Sequence, residues 1–148
     1  MRIVLLIVAA FLLQACSLSQ GDPVYSKPNI RDLVGTYAVK KVSLLTSKRT
    51  ELKKTVLRLQ ADGSYQAEAD QAVANSPLVP AKSGRWEVVE LYGLDLGSRP
   101  NWGVRFTSAD SSSTEAFCLN ATPPYNLMID HCAAGQHFDD YLVLQRQK

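Results

Sequence analysis

Two histidines and three aspartates near the C-terminus form the only cluster of metal-ligand residue types in this sequence. His131 and His137 are six positions apart, and Asp130, Asp139 and Asp140 lie around them. Imidazole and carboxylate groups are zinc ligands, but this spacing matches no zinc signature. A surface histidine with aspartates that cap a loop is the alternative. The sequence therefore predicts no metal and no other cofactor.

The sequence also lacks the common motifs of catalytic and phosphate-binding sites. The chain has neither a Gly-x-Ser-x-Gly nucleophile elbow nor a glycine-rich phosphate loop. The three serines at 111–113 are typical of a flexible turn. Some carboxylates could in principle pair for acid-base work, but chance pairs are common in a chain with this many acidic residues; they are Glu68, Asp70, Glu87 and Glu90. We therefore expect a protein that is not an enzyme.

The N-terminus has the pattern of a signal peptide. Arg2 supplies a positive charge, an uninterrupted apolar run extends from Ile3 to Leu13, and Ala15 is a small residue suited to a peptidase pocket. The run is too short to cross a bilayer, which takes about 20 residues. We expect residues 1–15 to be removed on export.

Leu13-Gln14-Ala15-Cys16 resembles the lipobox of bacterial lipoproteins. The resemblance implies cleavage before Cys16, a diacylglyceryl group on its thiol and a further acyl chain such as palmitate on the new amine. Two or three acyl chains anchor a protein stably. Ser17 resembles the residue found in proteins sorted to the outer membrane, so the expected location is that membrane, facing the periplasm or the cell surface. The alternative is an ordinary secretory signal in which Cys16 is incidental.

Cys118 and Cys132 remain as an even pair in an oxidising compartment, and a disulfide is the default expectation there. Two reduced thiols in the core and a redox site are the alternatives, although no Cys-x-x-Cys is present. A hairpin turn at residues 123–126 would place Cys118 directly opposite Cys132, at a distance that a disulfide tolerates.

The remaining chain divides into a tether and one domain. Residues 16–30 are mostly polar, contain Gly21, Pro23 and Pro28, and show no periodicity. Residues 31–148 alternate between β-branched or aromatic runs and turn residues, which predicts an all-β domain. The predicted strands are 34–45, 51–60, 64–70, 83–91, 102–108, 114–121, 127–132 and 140–146.

Four short motifs give this domain a family resemblance. They are Gly35-Thr36-Tyr37, Asp62-Gly63-Ser64-Tyr65, Gly84-Arg85-Trp86 and the last strand, Tyr141 to Arg146. Together with the lipobox they resemble bacterial lipocalin-like lipoproteins. The resemblance implies an eight-stranded, up-and-down antiparallel barrel that holds a small apolar ligand. The aromatic residues that would line a cavity, or pack to fill the barrel, are Tyr37, Tyr65, Trp86, Trp102 and Phe106.

Up-and-down topology would gather the loops near 46–50, 71–82, 109–113 and 133–139 at one rim. The loop at 76–80 has an apolar centre. This loop is either a lid or partner contact, or it is folded back onto the barrel.

Residues 27–58 carry nine basic and two acidic side chains. Such a segment either attracts anionic envelope material or is a solvated face beside an acidic neighbour.

These features favour a noncatalytic, membrane-anchored envelope lipoprotein that binds a small apolar ligand or assists envelope maintenance. The alternative is a protein-binding module, such as an envelope inhibitor of a protease or lysozyme. The formal net charge of only +2 argues against nucleic acid as a partner.

Overall fold

Eight antiparallel strands form a closed barrel in which each strand pairs with its neighbour in sequence and β1 pairs with β8. The computed structural model describes residues 21–43, 47–92, 99–131 and 140–148. The strands are β1 (Gly35–Val42), β2 (Val56–Leu59), β3 (Ser64–Glu68), β4 (Ser83–Leu91), β5 (Asn101–Ser108), β6 (Ser113–Leu119), β7 (Asn126–His131) and β8 (Asp140–Arg146). The all-β, up-and-down barrel predicted from the sequence is confirmed.

Helical structure in the described residues is limited to single turns. Helix α1 (Ile30–Leu33) precedes β1, helix α2 (Arg49–Leu52) precedes β2, and a 3₁₀ helix spans Gln71–Val73 between β3 and β4. The prediction of a strand over residues 51–60 was therefore too long, because its first part lies in α2 and the turn after it. Local alternation cannot distinguish a four-residue helix from a strand end.

The β2–β3 hairpin follows the predicted pattern. Leu57, Leu59 and Tyr65 are buried in the core, while the residues between them are more exposed. At the turn, Asp62 Oδ1 accepts a 2.8 Å hydrogen bond from the Ser64 amide, and Gly63 adopts a φ of +81°. An Asp-Gly pair tolerates this left-handed conformation, which is why it joins the two strands tightly.

Gly84 explains why a glycine precedes the tryptophan in the Gly-x-Trp motif. A β-carbon at Gly84 would lie 2.1 Å from the carbonyl oxygen of Thr107 on β5. The strands approach too closely here for any larger residue. Trp86, two residues later, pairs with Phe106 on the same side of the sheet. The absence of a side chain at Gly84 thus lets β4 and β5 approach closely, next to the pair formed by Trp86 and Phe106.

The register between β6 and β7 differs from the prediction. Cys118 lies opposite Leu127, and Leu119 lies opposite Asn126. The predicted facing of Cys118 and Cys132 is therefore wrong. The connection runs over residues 120–125, so it is centred two residues earlier than the predicted turn at 123–126. Hairpin register follows the position and geometry of the loop. β7 ends at His131, and Cys132 lies outside the described residues.

A second apolar cluster lies on the outer wall of the barrel. Leu119, Met128 and Val143 are buried there, with the partly buried Phe117 and Tyr141 packed against them. These residues alternate with inward-facing ones on β6, β7 and β8, which explains why the sequence of those strands reads as continuous apolar runs. Outward positions on this part of the wall are thus not polar.

The segment before α1 lies against the barrel. The carbonyl of Asp22 accepts a hydrogen bond from the Asn120 amide at 2.9 Å, and the carbonyl of Val24 accepts one from the Trp102 amide at 2.8 Å. Pro23 forms a bridge with Leu119. Residues 21–29, predicted as part of a tether, are therefore attached to the end of the barrel at which the chain enters β1. Residues 16–20, including Cys16, lie outside the described residues.

Candidate functional site

The barrel has two distinct ends. We call the end bearing residues 60–63, 92, 99–100, 120–125 and the segment before β1 the base. The opposite end bears the connections after β1, β3, β5 and β7, and we call it the rim. This arrangement follows directly from the strand order, in which alternate connections lie at the same end. The predicted grouping of the rim loops is confirmed by this topology, although residues 44–46 and 132–139 lie outside the described residues.

The interior is packed with the aromatic side chains proposed to line a cavity. The rings of Tyr65 and Phe106 meet edge to face with centroids 5.2 Å apart. Tyr37 Oη donates a 2.7 Å hydrogen bond to the Leu33 carbonyl, and Trp86 Nε1 donates one of 3.0 Å to the Gln60 carbonyl. All four rings are buried in one core cluster. An eight-stranded barrel is just wide enough for side chains to fill it.

Trp102 differs from the other four aromatic residues. It is only partly buried and lies at the base, where Lys27 Nζ is 5.5 Å from its ring centroid. A cation over an indole face is attracted by the ring quadrupole. This ring therefore contributes to the base and leaves the centre of the barrel to the other four.

Buried apolar residues close both ends of the barrel. Val24, Leu33 and Tyr125 belong to the core cluster at the base. At the rim, Leu52 of α2, Val73 of the 3₁₀ helix, and Leu78 and Val79 of the following loop belong to the same cluster. The 76–80 loop is folded back onto the barrel, as one of its two interpretations predicted. Leu52 and Val73 lie in single helical turns, which are too short to show a period, so no sequence pattern marks them as core residues.

A polar cleft of about 390 Å³ lies on the rim above this closure. Leu52, Val73 and Leu78 form its floor, and its remaining lining is largely polar: Ser47, Lys48, Gln71, Ala72, Asn75, Ser76, Pro77 and Asp140. Polar groups converging over an apolar floor are suited to recognising a ligand or a partner surface. We refer to this feature as the rim cleft.

Two lysines hold the 3₁₀ helix to α2 beside the rim cleft. Lys48 Nζ donates a 2.8 Å hydrogen bond to the Ala72 carbonyl, and Lys54 forms a 2.9 Å ion pair with Asp70. Asp70 also caps the 3₁₀ helix by accepting a hydrogen bond from the Ala72 amide. This backbone hydrogen bond, followed by the contact with Lys54, lowers the pKa of Asp70. The carboxylate thus stays ionised and keeps the cleft wall in place.

The basic segment divides between paired and exposed charges. Arg58 forms an ion pair with Glu68, as Lys54 does with Asp70. Lys40, Lys48 and Lys53 are exposed toward the rim. The interpretation as a face beside acidic neighbours therefore holds for two of the basic residues, while exposed lysines remain around the rim cleft.

The carboxylates considered for catalysis are dispersed. Glu68 and Asp70 are paired with cations, as described, and Glu87 lies 3.6 Å from Arg105 on the outer wall. Glu90 lies opposite Trp102 near the base. In the described part of the chain, no three side chains of metal-ligand type come together. His131 lies opposite Asp140 in the β7–β8 register, whereas His137 and Asp139 are outside the described residues.

Cys118 carries a free thiol in the structure and is buried in the core. Burial raises its pKa to about 12. Such a thiol is almost wholly protonated at neutral pH and behaves as a small apolar side chain. The structure therefore assigns Cys118 a packing role and shows no disulfide at this residue.

The structure defines this protein as a closed, eight-stranded antiparallel β-barrel. Comparison with known proteins adds no narrower class. No family model, curated protein or solved structure matches this chain. Across the described ranges, the helices are all too short or too polar to span a membrane.

Proposed function

We propose that this protein is a noncatalytic lipoprotein of the bacterial cell envelope that binds a partner protein through the rim of its barrel. In this proposal, acyl chains on Cys16 hold it at the outer membrane, facing the periplasm or the cell surface. The lipobox resemblance supports the anchor. The likeness to bacterial lipocalin-like lipoproteins remains part of the proposal.

The packed interior is the observation that favours protein binding. Four core aromatic rings fill the barrel, and Leu52 and Leu78 close its rim. The rim cleft and the exposed lysines around it offer a polar, basic surface, so the partner surface that fits best is acidic. An inhibitor of an envelope enzyme is one protein of this kind.

Crosslinking in intact envelopes tests the rim. Lys40→Glu combined with Lys53→Glu reverses two exposed charges without touching the core. We expect this variant to lose its crosslinked partner, while Lys148→Glu, at the base end of β8, keeps it. Equal crosslinking of both variants would contradict a binding site at the rim.

The anchor has a separate test. Replacing Cys16 by Ser removes the thiol to which the diacylglyceryl group is attached, so the protein should leave the membrane fraction. Unchanged fractionation would contradict lipidation and leave the rim proposal to stand on the crosslinking result.

A small apolar ligand is the second candidate function, favoured by the aromatic residues of the interior. It requires Leu52 and Leu78 to move away from the rim, because both are now 1 % exposed. Titration with a fluorescent fatty acid distinguishes the two candidates. Stoichiometric binding that Tyr65→Ala abolishes would place the ligand function first.

A further inference from the structure

The base of the barrel carries the large apolar side chains that the described residues expose to solvent. These are Tyr25 at 48 %, Ile30 at 52 % and Tyr92 at 66 % exposure. Single exposed apolar residues are ordinary on protein surfaces. Here, however, all three lie at one end, whereas Leu52, Val73 and Leu78 at the rim are buried. The distribution therefore distinguishes the base from the rest of the surface.

Each of these side chains is presented by ordered backbone. Tyr25 follows Val24, whose carbonyl is bonded to the Trp102 amide. Ile30 opens α1, a turn capped by Asn29, whose other end buries Leu33 in the core. Their exposure is thus fixed by the fold.

Tyr92 is placed in the same way. It directly follows Leu91, which is buried and pairs with Asn101 at the base end of β4 and β5. Strand pairing therefore holds Tyr92 at the base, on the same end as Tyr25 and Ile30.

The described chain begins beside this surface. A β-carbon built on Gly21 would lie 3.4 Å from Leu119 Cβ, near the base end of β6. Only five residue steps separate Gly21 from Cys16, and an extended chain of that length spans at most about 18 Å. An anchor at Cys16 would therefore keep the base close to the bilayer.

The charges at the base are compatible with a membrane surface. Lys27, Arg31 and Arg99 are exposed there, and Asp22 and Asp32 in the same segment partly offset them. Tyrosine at a membrane interface places an apolar ring in the headgroup region with its hydroxyl in water. The apolar side chains are thus expected to provide most of the attraction, with a modest contribution from anionic lipid.

We propose that the base of the barrel is a membrane-docking surface, in which Tyr25, Ile30 and Tyr92 enter the headgroup region of the bilayer that anchors Cys16. This inference rests on the proposed lipidation. It adds a defined orientation: the barrel stands on the membrane and presents the rim cleft away from it.

Depth measurement on acylated protein in phosphatidylethanolamine–phosphatidylglycerol vesicles tests this orientation. An environment-sensitive fluorophore is attached to a single cysteine introduced as Ile30→Cys, Tyr92→Cys, Gln60→Cys or Lys53→Cys. Every variant also carries Cys132→Ser. Gln60 is an exposed residue of the base outside the apolar group, and Lys53 reports on the rim.

Quenching by lipids that carry a spin label near the headgroup should be at least threefold stronger at positions 30 and 92 than at position 60, and absent at position 53. A barrel that only swings on its anchor would show equal quenching at positions 30, 60 and 92, and that result would overturn the proposal. Shielding of positions 30 and 92 in native envelopes but not in vesicles would assign the surface to a protein and also overturn it.

A variant with serine at positions 25, 30 and 92 provides the complementary measurement. It should remain folded, because none of the three side chains lies in the core. With the fluorophore at position 60, it should lose the difference in quenching between positions that indicates a fixed orientation. The mass of the mature protein, measured separately from the quenching, shows whether Cys16 is acylated. An unacylated mass would refute the anchor, whereas equal quenching of acylated protein would refute the docking alone.

Discussion

The hydroxyl of Tyr37 on β1 donates a hydrogen bond to the carbonyl of Leu33, four residues earlier at the end of α1. That carbonyl is one of the acceptors left without an intrahelical partner at a helix C-terminus. Both residues are completely buried, at 0 % exposure. The Tyr37 side chain therefore packs in the barrel interior and also satisfies a carbonyl of the helix that closes the base.

Tyr37→Phe removes this hydrogen bond and keeps the ring. The Leu33 carbonyl would then be buried without this partner, which costs about 1–3 kcal/mol of unfolding free energy. Urea denaturation measures the loss. Tyr92→Phe, at an exposed position, is the matched control and should leave stability unchanged; a similar loss in both variants would contradict the assigned role.

The thiol of Cys118 should be inert in the folded protein. With a pKa of about 12, only about one thiol in 10⁴ is ionised at pH 8, and the side chain is also inaccessible. In a Cys132→Ser variant, we expect no labelling of Cys118 by maleimide in buffer and complete labelling in guanidinium chloride. Peptide mapping of protein from the envelope under nonreducing conditions should show Cys118 unpaired. A peptide joining Cys118 to Cys132 would contradict the structure.

Stability should fall at alkaline pH. Burial raises the pKa of Cys118 from 9.0 to about 12 and raises the pKa of Tyr37 and Tyr65. The unfolded chain therefore loses these protons at lower pH than the folded protein, so the contribution is complete below about pH 9 and declines as pH rises toward 12. Denaturation at a series of pH values measures the slope. Cys118→Ala should reduce it, and an unchanged slope would exclude the thiol as its source.

Gly84→Ala should destabilise the barrel severely. The added methyl group would lie 2.1 Å from the Thr107 carbonyl oxygen, which is main chain and cannot rotate away. We expect a loss of about 3 kcal/mol or more, since β4 and β5 must separate. Ser83→Ala changes the exposed residue beside it and should cost less than about 0.5 kcal/mol. Thermal unfolding compares the two; equal melting temperatures would contradict the close approach.

The barrel could be predicted because its signals are local and agree with one another. Leu57, Leu59 and Tyr65 alternate with polar residues around Asp62-Gly63, so the side chains and the turn specify the same hairpin. Later strands bury both faces, and their apolar runs at Leu127–Ile129 and Leu142–Leu144 still indicate strands.

The structure differs from the sequence-based predictions where backbone geometry, and not the side-chain pattern, determines the arrangement. The β6–β7 register depends on the shape of the 120–125 connection, which includes Asn120 at a φ of +77°, and the sequence does not encode that shape in a period. Residues 21–24 attach through main-chain carbonyls, which leave no side-chain pattern. The rim cleft brings together α2, the 3₁₀ helix and Asp140, which are distant in sequence, and the base becomes recognisable only when exposure is known.

The ladders of paired residues between neighbouring strands differ in length. Three residue pairs join β3 to β4, from Ser64–Arg85 to Gln66–Ser83, whereas eight join β4 to β5. Two further backbone hydrogen bonds, from Ala67 to Lys82 and from Trp86 to Gly63, flank these three pairs. We expect transient opening of the barrel to begin between β3 and β4, because this ladder has the fewest pairs. Such an event would give Tyr65 and the core behind it momentary contact with solvent without unfolding the longer ladders.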